Sequence, residues 1–171
     1  MAHIERDRDD EGRANNSRPR DELGRPLPKG SVGVERIPDD IDLPPAEILA
    51  WAQDLLDRGL AFNAHEVLEA AWKSCPDDER ILWQGLAQLA VGITHIQRGN
   101  NKGALTLVQR AAAKLRQYPD APYGIDTPGL IDYADSLIDD LRNDATPNRL
   151  RPQLCPKDSS AGAPDAETSS T

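Results

Sequence analysis

Apolar residues recurring at intervals of three and four, in five separate segments, predict an all-α protein. The expected form is a compact bundle of about five helices arranged as antiparallel hairpins. Two further observations point the same way. No segment alternates apolar and polar residues as a half-buried strand would. Residues 81–97 contain no charged side chain, in a chain where 29% of residues are charged, so one helix should be buried at the centre.

Taken in order, residues 1–43 form an N-terminal arm, expected to be largely extended or disordered. Residues 1–30 are dominated by Arg, Asp, Glu, Asn, Gly and Pro without apolar periodicity. Val32, Val34, Ile37, Ile41 and Leu43 stand between polar residues and are expected to lie along a surface. The helical domain should span 44–142. Its first helix begins at Pro44–Pro45, since proline suits a first turn. Ile48, Leu49, Ala52, Leu55 and Leu56 make its core face, and Gly59 is the expected stop.

Asn63 is the expected N-cap of the second helix, with Glu66 completing a capping box and Phe62 stapled to Val67. That helix should end near Lys73, before Cys75–Pro76. The third starts near Asp77–Asp78–Glu79 and carries Leu82, Leu86, Leu89, Ile93 and Ile96 as one stripe, with Trp83 and Ala90 beside it. Gly85 and Gly92, on one side, are expected to let another helix approach closely. After a turn at Gly99–Asn100–Asn101, the fourth helix carries Ala104, Leu105, Val108, Ala111, Ala112 and Leu115. Tyr118–Pro119 ends it. Thr127 is the expected cap of the fifth, with Pro128 in its first turn and Leu130, Ala134, Leu137, Ile138 and Leu141 facing the core. Residues 143–171 are expected to be a disordered tail. The Gly99–Asn101 hairpin also resembles a tetratricopeptide unit, but the spacing is not repeated along the chain.

Charge narrows the function classes. The net charge is −9. Residues 1–30 carry seven basic and seven acidic side chains, and residues 143–171 three and four, so eight of the nine net charges lie on 31–142. That argues against a general nucleic-acid binder, which needs an excess of Lys and Arg to neutralise phosphates. Arg98, Lys102, Arg110, Lys114 and Arg116 read as a solvated helix face. Cys75 and Cys155 show no metal or disulfide spacing. No signal peptide or 18-residue apolar run occurs, and the third helix is too polar to span a bilayer; a cytoplasmic protein is expected.

One stretch concentrates chemistry. His65, Leu68, Glu69 and Trp72 share one stripe of the second helix, with His65 and Glu69 at the i,i+4 spacing that lets them meet. On the third helix Gln84, Gln88 and His95 form a row around Val91, uncharged where a solvent face would carry Lys or Glu. If the two rows face each other, the glutamines and His95 could hydrogen-bond to His65 and Glu69. Four readings stand: a structural polar network that fixes helix register, a ligand or partner pocket, an acid/base site with Glu69 orienting His65, and a metal site. The metal reading is the weakest. His65–Glu66–x–x–Glu69 lacks the second histidine of a zincin motif, and no other helix offers Glu-x-x-His. P-loop, dinucleotide-binding and nucleophile-elbow motifs are absent.

Three blocks carry a family resemblance. They are Phe62-x-x-His65-Glu66-Val67-Leu68-Glu69-x-x-Trp72-Lys73, then Trp83-Gln84-Gly85-Leu86-x-Gln88-Leu89-Ala90, then His95-x-x-Arg98-Gly99-Asn100-x-x-Gly103-Ala104. In this order they resemble the bacterial domain-of-unknown-function family 309, over about residues 46–117. The resemblance implies a small all-helical domain with no assigned activity, whose signature is matched at His65, Glu69, Trp72, Gln84, Gln88, Gly99 and Asn100. The expectation is a binding or interaction module with a buried polar cluster, its binding candidates Trp72, Gln84, Gln88 and His95. The alternative is a hydrolase-like enzyme using His65 and Glu69, with or without a metal. No cofactor or metal is assigned. The partner expected is a small molecule or a protein; a membrane is not, and self-association is open.

Overall fold

The computed structural model describes residues 18–38 and 40–156. Five helices follow one another: α1 (Pro45–Asp57), α2 (Ala61–Ser74), α3 (Arg80–Gln97), α4 (Asn101–Leu115) and α5 (Thr127–Arg142), with single 3-10 turns at Asp77–Glu79 and Pro122–Gly124. Among the described residues there is no strand beyond one isolated bridge, Arg20 to Pro26. The strong helix–helix contacts are all between consecutive helices, so the expected antiparallel hairpins form. Among the described residues, no helix is long and apolar enough to cross a membrane.

The same backbone device closes the first and third hairpins. Gly59 and Gly99 both lie at φ +77°, in the left-handed region. The amide of Leu60 donates to the Leu55 carbonyl and that of Gly59 to Leu56; Asn100 to His95 and Gly99 to Ile96 repeat the pattern. Each turn ends one helix and starts the next within three residues.

α3 is the central helix, as its lack of charge predicts. Leu82, Trp83, Leu86, Leu89 and Ile93 are all essentially inaccessible to solvent. Its two glycines bring α4 close. A Cβ on Gly92 would lie 2.7 Å from Val108 Cγ2, and one on Gly85 3.1 Å from Lys114 Cβ. The core residues expected of α1 and α5 are all buried.

Two start signals differ from expectation. α2 begins at Ala61, and Asn63 lies inside the helix rather than capping it. The tight Gly59 turn with buried Leu60 delivers the chain into helical geometry before Asn63 is reached. The Asn63 amide instead donates to the Glu35 carbonyl of the arm at 3.3 Å. At α5 the cap is Asp126, whose carboxylate accepts from the Gly129 amide at 3.1 Å. Thr127, one residue on, is fully buried and donates its hydroxyl to the Tyr118 carbonyl.

Packing extends beyond the helices at both ends. In the arm, Ile37 is buried in the core, Val34 and Ile41 pack against it, and Val32 is fully open to solvent. Past α5 the chain turns back in extended form. Gln53 of α1 clamps it, accepting from the Leu154 amide at 2.8 Å and donating to the Pro152 carbonyl at 3.0 Å. The Asp126 amide donates to the Leu154 carbonyl, and the Leu154 side chain is 2% exposed. Packing against the core therefore continues past the end of α5 as far as Leu154. An extended segment buries single side chains without helical spacing, so periodicity does not reveal it. The disorder expected for residues 1–17 and 157–171 falls outside the described residues.

Candidate functional site

α2 presents its chemistry along one edge. His65 Nε2 lies 3.3 Å from Glu69 Oε2, and Lys73 Nζ lies 3.4 Å from Glu69 Oε1. The i,i+4 spacing that predicts the His65–Glu69 pair thus continues one turn further, and Glu69 is shared between two partners. The pair sits at the rim of the core, with the His65 side chain 22% and that of Glu69 34% exposed. Burial holds the His65 ring below the usual histidine range; Glu69 and the Phe62 carbonyl oppose that shift, and Lys73 adds to it. Its Nδ1 is sealed from solvent and makes no hydrogen bond of good geometry. Both ring nitrogens are therefore withdrawn, one onto Glu69 and one into the interior.

The α3 row is half-buried at Gln84, Gln88, Val91 and His95, which agrees with its lack of charge. Gln97 Nε2 donates to the Gly59 carbonyl at 2.9 Å, and the Arg98 guanidinium lies 5.7 Å from the Phe62 ring centre. These contacts set the start of α2 beside the end of α3. Among the described residues no hydrogen bond joins the two rows. His95 Nδ1 instead meets Asn100 Nδ2 at 3.0 Å, while Asn100 Oδ1 caps α4 by accepting from the Gly103 amide. Trp72 Nε1 and Gln88 Oε1 are both sealed and without partners. Such orphaned atoms cost on the order of 1–3 kcal/mol each. Trp83, by contrast, donates its Nε1 to Glu79 at 3.0 Å. Among the described residues no three of His, Cys, Asp and Glu converge as metal ligands would.

A cavity lies on the neighbouring face of α2, where the arm crosses it. It has a volume of about 330 Å³ and is lined by Phe62, Asn63 and Glu66 of α2 and, from the arm, by Arg18, Pro19, Arg20, Ser31, Val34, Glu35 and Arg36 among others. Phe62 forms one wall and is held from several sides. The Arg20 and Arg98 guanidinium groups lie 5.0 and 5.7 Å from its centroid, and the His65 ring packs on it at 5.7 Å. A Cβ on Gly24 would collide with it, so the arm approaches through a glycine. Arg98 Nε also donates to the Leu23 carbonyl at 2.8 Å, tying the arm to the end of α3. Periodicity cannot find this site, because half of it comes from a segment with no period. The signal available is the arm's balanced charge together with Phe62 and the expected cap Asn63.

Over 94 residues the chain is 27% identical to an uncharacterized protein of Aquifex aeolicus (strain VF5); the match covers 54% of this chain and 28% of that protein. The match therefore spans under a third of that relative's length. No solved structure matches. The segment from Leu49 in α1 to Leu107 in α4, which holds the His65–Glu69 pair, the α3 row and the first and third hairpin turns, matches the family described as Domain of unknown function (DUF309).

Proposed function

We propose that this domain is a cytoplasmic, non-catalytic binding module for a small molecule, with the cavity between the arm and α2 as its ligand site. One observation carries the reading: a concave site of about 330 Å³, within the size range of ligand pockets, built on a fixed aromatic wall with arginine, carboxylate and amide groups around it. The His65–Glu69–Lys73 ladder then supports the site, since His65 packs on the Phe62 wall. The catalytic alternative is less well supported. An acid/base histidine needs one nitrogen on its orienting carboxylate and the other open to substrate, and His65 Nδ1 is sealed.

The test is a thermal-shift screen of the full chain against small polar metabolites, repeated on Ser31→Trp, which places a bulky side chain at the cavity's half-buried arm wall. A ligand at a hundred times its Kd adds about 2.7 kcal/mol, or roughly 5 °C or more for a domain of this size. The expected result is a ligand that raises the melting temperature of the wild-type chain and has no effect on the variant. Failure of every compound, or equal shifts in the two proteins, would overturn the proposal.

A further inference from the structure

We infer that the arm is a hinged strap over the cavity, fixed at its Ile37 end and released at its tip, Asp21–Arg25, so that the cavity opens without unfolding the helical domain. This rests on the binding reading above only for what the strap covers. The two ends of the arm are held by different physics. At the fixed end Ile37 is 6% exposed within the core, Val34 and Ile41 pack against that core, and Asn63 Nδ2 donates to the Glu35 carbonyl. Taking such a side chain back into water is costly, because water offers it nothing in exchange. Nearer the tip, Leu23 and Leu27 are half-buried without joining the core, and Val32 is fully open. The tip meets the body at the surface, through the 2.8 Å bond from Arg98 Nε to the Leu23 carbonyl and the seat of Gly24 against the Phe62 ring. An exposed hydrogen bond is replaced by water at small net cost, and segments held that way are the first to open.

The tip keeps its shape when it leaves. The Asp21 carboxylate accepts from the Leu23 amide at 3.0 Å, from the Arg25 amide at 2.8 Å and from Arg25 Nε at 2.8 Å, and the Gly24 amide donates to the Asp21 carbonyl at 2.9 Å. That turn presents the Leu23 carbonyl to Arg98. It also sets Gly24, at φ +73°, where a Cβ would collide with the Phe62 ring. The Leu27 amide donates to the Pro19 carbonyl at 2.8 Å, so residues 19–27 travel as one piece. The piece is joined to the fixed end where the Val34 amide donates to the Arg20 carbonyl at 2.9 Å, and that bond is the pivot. Gly33 allows the close approach there, since a Cβ on it would lie 2.6 Å from the Arg20 carbonyl oxygen. A hinge of a few residues is enough for a large swing. Lifting the tip uncovers Phe62, and so opens the cavity at its aromatic wall.

Phe62 is the one phenylalanine of the chain, so 4-fluorophenylalanine labels it alone. Fluorine NMR of the full chain then reads the exposure of the ring, through the change in shift between H2O and D2O. The wild-type ring should show a small solvent shift. Two tip variants should raise it towards that of the urea-unfolded chain: Gly24→Ala, whose Cβ cannot seat against the ring, and Asp21→Ala, which undoes the turn. Both should keep the melting temperature within about 1–2 °C of wild type, as surface substitutions do. Ile37→Ala, at the fixed end, should lower it by roughly 5 °C or more. A ring as protected in either tip variant as in the wild type would overturn the strap. So would a fall in melting temperature in the tip variants equal to that of Ile37→Ala, because the tip would then belong to the core. No ligand enters this experiment, which keeps the two readings apart. If the ring stays protected while the thermal screen finds a ligand blocked by Ser31→Trp, the strap alone fails. If the tip variants uncover the ring and the screen is empty, the binding reading alone fails.

Discussion

Gly92→Ala isolates the contact that centres the fold. The added Cβ would lie 2.7 Å from Val108 Cγ2, 3.5 Å from the Val108 nitrogen and 3.7 Å from the Ala104 carbonyl. Val108 is 0% exposed, so its methyl has nowhere to go and α4 must move or strain. Overpacking of this kind costs about 1–3 kcal/mol. Alanine in place of an interior helical glycine returns about 0.5–1 kcal/mol. The net expectation is a loss of about 1–2 kcal/mol, or very roughly 3–10 °C in melting temperature. Gly85→Ala is the internal control. Its Cβ would sit 3.1 Å from Lys114 Cβ, tight by only a few tenths of an ångström, so clash and helix propensity should nearly cancel. The double variant Gly92→Ala/Val108→Ala closes the cycle: with the valine methyls gone, the glycine substitution should become neutral or stabilising. That corresponds to a coupling of about 1–3 kcal/mol. The assay is urea unfolding followed by circular dichroism. If Gly92→Ala were as stable as wild type, or destabilised equally with and without Val108, the close-approach argument would be refuted.

Two other expectations concern the polar edge of α2 and the C-terminal segment. Burial holds His65 below its unfolded pKa, so the unfolded chain takes up the proton first; the stability His65 contributes is present above about pH 6.5 and is lost as pH falls through the folded value. Unfolding free energy should therefore decline from pH 7 to pH 5, and His65→Gln should flatten that decline; an unchanged slope would refute the assignment. Leu154→Ala removes a side chain that is 2% exposed and should cost about 2–4 kcal/mol, as in other buried leucine truncations. A chain ended at 142 would lose at least as much, and equal melting temperatures for the full and shortened chains would show that the segment does not stabilise the domain.

Much of the architecture is legible from local signals. The five apolar stripes, the two stopping glycines and the charge-free run that becomes α3 each depend on spacing along one helix, which three to four residues of periodicity encode directly. The Gly85–Gly92 side of α3 was readable for the same reason: two residues without side chains on one face mark where a neighbour comes close. Helix starts were harder to read. Asn63 and Glu66 have the spacing of a capping box, yet buried Leu60 sets the start of α2 earlier, because burying an apolar side chain outweighs a single cap hydrogen bond.

At the candidate site, the sequence by itself determines that His65 and Glu69 meet, since an i,i+4 pair on one helix has no choice. It also determines that Gln84, Gln88 and His95 share a half-covered row. Which of these groups bond to one another is a tertiary matter. Asn100, placed by the left-handed turn at Gly99, meets His95 from the start of α4. Only the fold lays residues 18–38 across Phe62 and Asn63, or returns Leu154 to Gln53. These contacts join segments tens of residues apart through single side chains and carbonyls. Such pairings leave no period in the sequence, because their partners are chosen by where the helices have already brought the chain.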